Sequence, residues 1–244
     1  MKKISFILLI FFLFSCNNDS AEKQTSDGKE GSTATFILKN NNMYVVDQSN
    51  LNVFSITNPE NPVKVRTVDV GFNIETLFSN GDYLFIGSRN GMFIYSIASE
   101  PENPKFVSQA LHLRACDPVV ANNTHAFVTL HANTVCGGAN NVLMVYNTTN
   151  IQQPQLITQR DLAEPKGLAL NGNYLFICDK NDIVIFDISN PQNPNVVKTI
   201  ANVPARDMII DNNHLIAFTS SEVKQYNIDP ANIQNISLIS SYPL

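Results

Sequence analysis

The chain has 244 residues, of which 44% are hydrophobic and only 15% are charged, and its formal net charge is −5 with a sequence pI of about 5.3. This composition argues against a disordered chain, because an apolar fraction of this size can form a core. The lysines and arginines are scattered without a basic run, so we expect no nucleic-acid partner.

The first residues predict export from the cytoplasm. Lys2 and Lys3 precede an apolar run from Ile4 to Phe14, and Ser15 and Cys16 follow it. A basic start, about 7–15 apolar residues and a small residue before the cut are typical of a secretory signal peptide. The run is too short to cross a bilayer as a helix, which needs roughly 20 apolar residues.

The Ser15-Cys16 pair resembles the lipobox of bacterial lipoproteins. The resemblance implies a signal peptide at residues 1–15 and a lipid anchor, such as palmitate, on Cys16. The alternative is an ordinary signal peptide cut nearby, which leaves Cys16 as a free thiol. Asn17 rather than aspartate follows the cysteine, which by the habit of such lipoproteins implies the outer membrane of a Gram-negative bacterium, with the membrane face undecided.

Residues 16–31 predict a flexible tether. After Cys16 this stretch is polar and has no apolar periodicity, so burial cannot offset the entropy lost on ordering. Residues 32–244 are then long enough for one all-β domain.

A repeat with a period near forty residues fills this domain. The plainest unit reads NGNYLFIC at 171–178 and DIVIFDISNPQNP at 182–194, and an earlier unit reads NGDYLFIG at 80–87. Alignment of five copies makes the following residues equivalent: Met43, Tyr83, His125, Tyr174 and His214. Units of about this length with several short strands are typical of a β-propeller.

Each unit predicts four antiparallel strands rich in Val, Ile, Phe and Tyr. Asn-Gly or Asn-Asn pairs favour hairpin turns after the first strand, and the prolines of NPxNP separate the third strand from the fourth. Closing the sheets into a ring would bury their apolar faces. The sequence therefore predicts an all-β, five-bladed β-propeller of four-stranded antiparallel blades. By analogy with other propellers, we place the first strand of each blade nearest the axis, while a strand clasp across the ring stays undecided.

The segment IVIFDIS at 183–189 and its counterparts resemble the LVIVD repeat of bacterial, often lipid-anchored, β-propellers. The resemblance covers about residues 33 to 242. The third unit retains one of the two prolines, Pro154, and the last unit retains only Pro230. The resemblance implies the fold but no particular activity.

A polar residue stands eight positions before each aligned residue, at the start of each predicted first strand. These five candidate rim residues are Thr35, Glu75, Asp117, Lys166 and Arg206. They would ring one mouth of the central channel and could bind a ligand or a partner's side chain. The alternative is a solvated rim whose acids and bases pair with one another, and Arg114 and Asp207 could join either arrangement.

The third unit is longer than the others because of a Gly- and Asn-rich insertion at 131–141. Loops on rigid scaffolds often carry recognition, so His131, Asn133 and Asn140 are candidate recognition residues.

Cys116 and Cys136 fall at the same face of the third unit, and an exported protein permits a disulfide between them. Cys178 is left over and is expected to be a small buried hydrophobe, although its pairing with either of the other two stays possible. Metal binding by His112, His131 and the two cysteines is the alternative. Their spacing matches no compact zinc pattern, so we expect no metal and no cofactor.

The sequence contains no G-x-S-x-G, H-E-x-x-H or Walker motif, which predicts that the chain is not an enzyme. It therefore favours a non-catalytic cell-envelope lipoprotein that presents its propeller to an unidentified envelope protein or small ligand. The alternative is an enzyme acting on extracellular polysaccharide, with Glu75 and Asp117 as an acid–base pair at the channel mouth.

Overall fold

The computed structural model describes residues 29–112, 118–132, 138, 140–229 and 231–244. Within them every long regular element is a β-strand, and none is a helix with the length and hydropathy needed to cross a membrane. The strands form five antiparallel sheets of four, numbered here as blades 1 to 5. The prediction of an all-β, propeller-like fold with five four-stranded blades is confirmed.

The strand bounds repeat from blade to blade. Blade 1 comprises β1 (Phe36–Lys39), β2 (Asn42–Val46), β3 (Asn50–Ser55) and β4 (Val63–Asp69); blade 2 comprises β5 (Ile74–Asn80), β6 (Tyr83–Ser88), β7 (Gly91–Ser96) and β8 (Lys105–Leu111). Blade 3 comprises β9 (Val119–Ala121), β10 (His125–Leu130), β11 (Val142–Asn147) and β12 (Gln155–Asp161). Blade 4 comprises β13 (Pro165–Asn171), β14 (Tyr174–Asp179), β15 (Asp182–Asp187) and β16 (Asn195–Ile200), and blade 5 comprises β17 (Asp207–Asp211), β18 (His214–Phe218), β19 (Glu222–Ile228) and β20 (Ile236–Pro243).

The first strand of each blade is innermost. Strands within a blade are hydrogen-bonded in sequence order, so the first and fourth strands are its two edges. The first strands of successive blades contact one another, whereas fourth strands such as β4 are mostly exposed. The unpaired edges of the first strands therefore line the central channel.

The Asn-Pro motif forms a tight turn between the third and fourth strands. In blade 4 the Asn193 N–H donates to the Asn190 carbonyl, and the Gln192 N–H donates to the side-chain oxygen of Asn190. Asn58 forms the same two bonds in blade 1. Asparagine is favoured there because its side chain accepts a hydrogen bond from the backbone two residues on, which stabilises the turn.

The strand register corrects the repeat alignment in blade 1. Lys39 pairs with Asn42 across the first hairpin turn, as Asn80 pairs with Tyr83 in blade 2. Asn42, rather than Met43, therefore occupies the position of Tyr83. The alignment misses this because it matches one large side chain to another. The Asn42 side-chain amide donates to the Asn40 carbonyl at 3.0 Å, while its Oδ1 is buried and has no hydrogen-bond partner among the described residues.

Apolar side chains from both faces of each blade form the core. Four clusters of buried residues fill the junctions between blades 1 and 2, 2 and 3, 3 and 4, and 4 and 5. At each junction the second strand of the lower-numbered blade contributes one large buried ring, namely Tyr44, Phe85, Phe127 and Phe176 in turn. The next blade contributes a smaller buried side chain to the same cluster, namely Leu84, Ala126, Leu175 and Leu215.

The junction between blades 5 and 1 has no such core among the described residues. In blade 5 the position of Phe176 is taken by Ile216, which is only partly buried. Phe36, on the innermost strand of blade 1, is 54% exposed. Gln225 of blade 5 stands where blade 4 has the fully buried Ile185. Packing against this face of blade 5 would therefore remove less apolar surface from water. Apolar packing between described residues therefore does not close the expected ring at its fifth junction.

Candidate functional site

The predicted rim residues of three blades lie at equivalent positions. Glu75 and Lys166 are the second residues of the first strands of blades 2 and 4, and Arg206 directly precedes that of blade 5. In blade 1 the position belongs to Ala34, so placing Thr35 there is wrong by the same one-residue shift as the alignment. Asp117 lies outside the described residues. We call this end of the channel the rim end.

Two charged residues of the predicted rim form ion pairs within their own blades. The Glu75 Oε1 lies 3.3 Å from the Nε of Arg89, which follows the second strand of the same blade. The Lys166 Nζ lies 3.3 Å from the Oε1 of Glu164, just before β13. Glu75 and Lys166 therefore find partners outside the predicted set.

Residues Glu30–Thr33, which we call the channel segment, lie in the central channel. The Glu30 carboxylate accepts hydrogen bonds from the backbone N–H and the hydroxyl of Ser79 in blade 2, at 3.0 and 2.9 Å. The Ser32 hydroxyl accepts from the Leu168 N–H of blade 4 at 2.8 Å and donates to Asp207 of blade 5 at 3.0 Å. Inner strands thus hold Ser32 and also Glu30, which the sequence assigns to the tether.

Asp207 holds the channel segment at the rim end. Its carboxylate also accepts from the Thr33 N–H at 3.2 Å and the Thr33 hydroxyl at 2.6 Å. A Cβ atom on Gly31 or on Gly167 would lie only 2.2 Å from an Asp207 oxygen. At Gly31 the Asp207 side chain would have to move, whereas at Gly167 backbone atoms are in the way as well. The chain's own residues therefore occupy the rim end of the channel.

A cavity of about 310 Å³ lies at the opposite end of the channel. Residues from all five blades and from the channel segment line it: Lys29, Glu30, Lys39, Phe78, Ser79, Val120, Leu168, Ala169, Leu170 and Ile210. Sequence reasoning misses this site because it compares only the starts of the first strands. Comparing their ends would have singled out Lys39, because no other first strand ends in a basic residue.

His131 belongs to a second polar cluster, at the rim end of blades 3 and 4. Its Nε2 lies 3.8 Å from the Glu164 Oε1, which is shared with Lys166. The Asp179 carboxylate accepts from the backbone N–H groups of Ala163 and Glu164, at 3.0 and 2.6 Å, and so fixes the turn that carries Glu164. Burial lowers the pKa of His131, against the opposing effect of Glu164, so its imidazole is neutral at pH 7.

The other candidate recognition residues are not brought into this cluster by any described contact. Asn140 is exposed and lines a separate cavity of about 290 Å³ with His112, Leu130 and other residues of blades 2 and 3. Asn133 lies outside the described residues. The interpretation of the insertion as a recognition loop stays a prediction.

Cys178 is a free and fully buried thiol, and burial raises its pKa far above the ordinary value. It packs in the core between blades 4 and 5. The other three cysteines, Cys16, Cys116 and Cys136, lie outside the described residues. The disulfide between Cys116 and Cys136 therefore stays a prediction. Across the described ranges, no group of three or more His, Cys, Asp or Glu side chains is arranged to hold a metal ion.

The fold is similar to those of several solved structures. A protein from Lactobacillus plantarum superposes with a TM-score of 0.68 at 12% identity, over 82% of this chain and 67% of that chain. The periplasmic gluconolactonase of Pseudomonas aeruginosa gives 0.64 at 15% identity, over 83% and 68%. A putative 6-phosphogluconolactonase from Bacteroides fragilis gives 0.65 at 10% identity, over 86% and 69%. No curated protein matches the chain in sequence.

These structures correct one prediction. The prediction that the chain is not an enzyme is wrong, because it rests on missing catalytic motifs, and propellers of this fold include a gluconolactonase and putative 6-phosphogluconolactonases. The absence of those motifs therefore does not decide whether a propeller of this fold is an enzyme. At 10–15% identity the likeness itself shows the fold alone.

A family model described as the LVIVD repeat matches residues 78–111 and 165–201. The two matches fall in blades 2 and 4, where the repeat is plainest in the sequence. Together with the five blades of four antiparallel strands, these matches are consistent with an LVIVD-repeat propeller family.

Proposed function

We propose that the central cavity binds a small anionic ligand that carries a carboxylate or a phosphate. The observation that supports this most is the convergence of all five blades on one cavity of about 310 Å³ that carries two lysines. This volume lies at the lower end of the range of small-molecule sites, which combine apolar walls with a few placed polar groups.

The cavity supplies both apolar walls and charged groups. Phe78, Val120 and Leu168 provide apolar walls, while Lys29 and Lys39 provide positive charge in a chain whose net charge is −5. The Glu30 carboxylate, the acidic group in this lining, is already held by Ser79. Charge-assisted hydrogen bonds from lysine to an oxyanion would then fix the ligand, each contributing about 1.5–3 kcal/mol.

Calorimetric titration of the full chain with gluconate and with inorganic phosphate tests the proposal, with glucose as the neutral probe. We expect at least one anion to bind and glucose not to bind. Lys39→Met should weaken that binding at least tenfold, because it removes the charge and keeps most of the side-chain volume.

Lys64→Met is the matched control, since Lys64 is an exposed lysine on the outermost strand of the same blade. It should leave the affinity unchanged. The proposal fails if neither anion binds, or if Lys39→Met and Lys64→Met have the same effect.

The His131 cluster favours a second candidate function, which is hydrolysis of a sugar lactone. A neutral imidazole beside a carboxylate can accept the proton of an attacking water, and the Lys166 ammonium can stabilise the oxyanion formed at the lactone carbonyl. The ring C–O bond then breaks, and the proton passes to the departing alkoxide. The product is a hydroxy acid, which is an anion of the class proposed for the cavity.

Gluconolactone hydrolysis, measured above its spontaneous rate, tests this candidate. His131→Gln should lower kcat/KM by about 10²–10⁴-fold, the usual contribution of a general base. Since burial lowers the pKa of His131, activity should persist below pH 6.5 and fall only as the imidazole becomes protonated. His214→Gln, an exposed histidine on blade 5, should have no effect. A rate no higher than the spontaneous one rejects the candidate.

We further propose that the protein works in the cell envelope of a Gram-negative bacterium, anchored in the outer membrane through Cys16. The support is the basic and apolar start of the chain followed by Ser15-Cys16. Labelled palmitate should appear in the chain and disappear in Cys16→Ser. A Cys16→Ser chain that keeps the label would reject the anchor.

A further inference from the structure

Two apolar sheet faces at the open junction are left uncovered by the part of the chain that the structure describes. The blade-1 face consists of Phe36, Leu38, Met43 and Val45, and the blade-5 face consists of Ile209, Ile216, Phe218 and Val223. All eight side chains are partly or largely exposed. Contiguous apolar surface of this kind on a folded protein marks an interaction site.

Both faces use the positions that form the packed junctions elsewhere in the molecule. The strand registers make Met43 and Val45 equivalent to Leu84 and Ile86 of blade 2, which are fully buried against blade 1. In the same way, Ile216 and Val223 of blade 5 are equivalent to Phe176 and Ile183 of blade 4. Those two residues are fully buried against blade 5.

We infer that the blade-5 face of one molecule packs on the blade-1 face of a second copy. The four internal junctions already join these two types of face, so the contact between copies continues an interface present within the chain. Because the two faces differ, the contact is head-to-tail, and each copy keeps one free face for a further copy.

The channel segment does not cover these faces. Its contacts with blade 5 are polar and run through Ser32, Thr33 and Asp207 at the inner ends of the blades. Phe36, three residues beyond Thr33, is still 54% exposed. A second copy would therefore find both faces accessible while the channel stays occupied.

Sedimentation of the full chain over a range of concentrations tests the inference. We expect concentration-dependent oligomers for the unmodified chain. Phe36→Asp and Ile216→Asp should each weaken self-association at least tenfold, because each places a charge in one of the two faces. Both side chains are accessible, so both variants should fold, which circular dichroism and the melting temperature would confirm.

Mixing the two variants distinguishes a head-to-tail contact from a symmetric one. Phe36→Asp keeps an intact blade-5 face and Ile216→Asp keeps an intact blade-1 face, so the mixture should form dimers and nothing larger. Val196→Asp, on the outer strand of blade 4 and 53% exposed, is the control and should assemble like the unmodified chain. A chain that is monomeric at every concentration, or a mixture that stays monomeric, overturns the inference.

Discussion

Replacing Phe176 by alanine is expected to lower the free energy of unfolding by about 3–5 kcal/mol, because truncating a buried aromatic ring costs its transfer free energy and leaves a cavity. The ring is fully buried between blades 4 and 5. Ile216→Ala, at the equivalent position on the open face of blade 5, should cost less than about 1 kcal/mol. Urea denaturation measures both, at a concentration where the chain is monomeric.

Two valines at equivalent positions allow the packed and open junctions to be compared with the same residue type. Val128 and Val45 occupy equivalent positions on blades 3 and 1, but Val128 is fully buried and Val45 is only partly buried. Val128→Ala should cost about 2 kcal/mol and Val45→Ala about 0.5 kcal/mol. Equal costs would mean that the fifth junction is packed in solution, contrary to the structure.

Gly167→Ala is expected to lower the free energy of unfolding by about 1–3 kcal/mol through overpacking. The new Cβ would lie 2.2 Å from the Asp207 Oδ1, 2.7 Å from its Cα and 2.9 Å from the Arg206 carbonyl oxygen. Because two of these atoms belong to the backbone, the inner strands of blades 4 and 5 must separate. Amide hydrogen exchange should then be faster at Leu168, whose N–H donates to Ser32.

Gly31→Ala provides the comparison, because its Cβ would meet only the carboxyl group of Asp207. In an Asp207→Ala background the additional cost of Gly31→Ala should vanish, whereas that of Gly167→Ala should remain. If Asp207→Ala removed the cost of both glycine variants equally, the predicted clash of a Gly167 Cβ with backbone atoms would be contradicted. No rescue of Gly31→Ala would show that the channel segment is not held against Asp207.

Much of the fold could be predicted because each blade is a local unit. The alternating apolar residues of strands such as β14, the Asn-Gly turns and the Asn-Pro turns are all encoded within about forty residues. The one-residue error in blade 1 arose where this local signal is weakest, since Asn42 replaces the tyrosine of blades 2 and 4.

The candidate site was predicted less well. The alignment puts Glu75, Lys166 and Arg206 at equivalent positions, but it cannot show that the channel segment fills the rim end of the channel. It also could not show that the cavity with Lys39 lies at the other end. His131 was singled out for its loop, whereas its partner Glu164 comes from the next blade.

The sequence alone determined the repeat, the number of blades and the turns, because each depends on residues close together along the chain. Only the tertiary structure decided which end of the channel is occupied and which blade faces are left uncovered. The bond between Ser32 and Asp207 joins residues 175 positions apart. The exposure of Phe36 likewise depends on where blade 5 lies. Such contacts depend on the geometry of the whole chain, which local patterns do not encode.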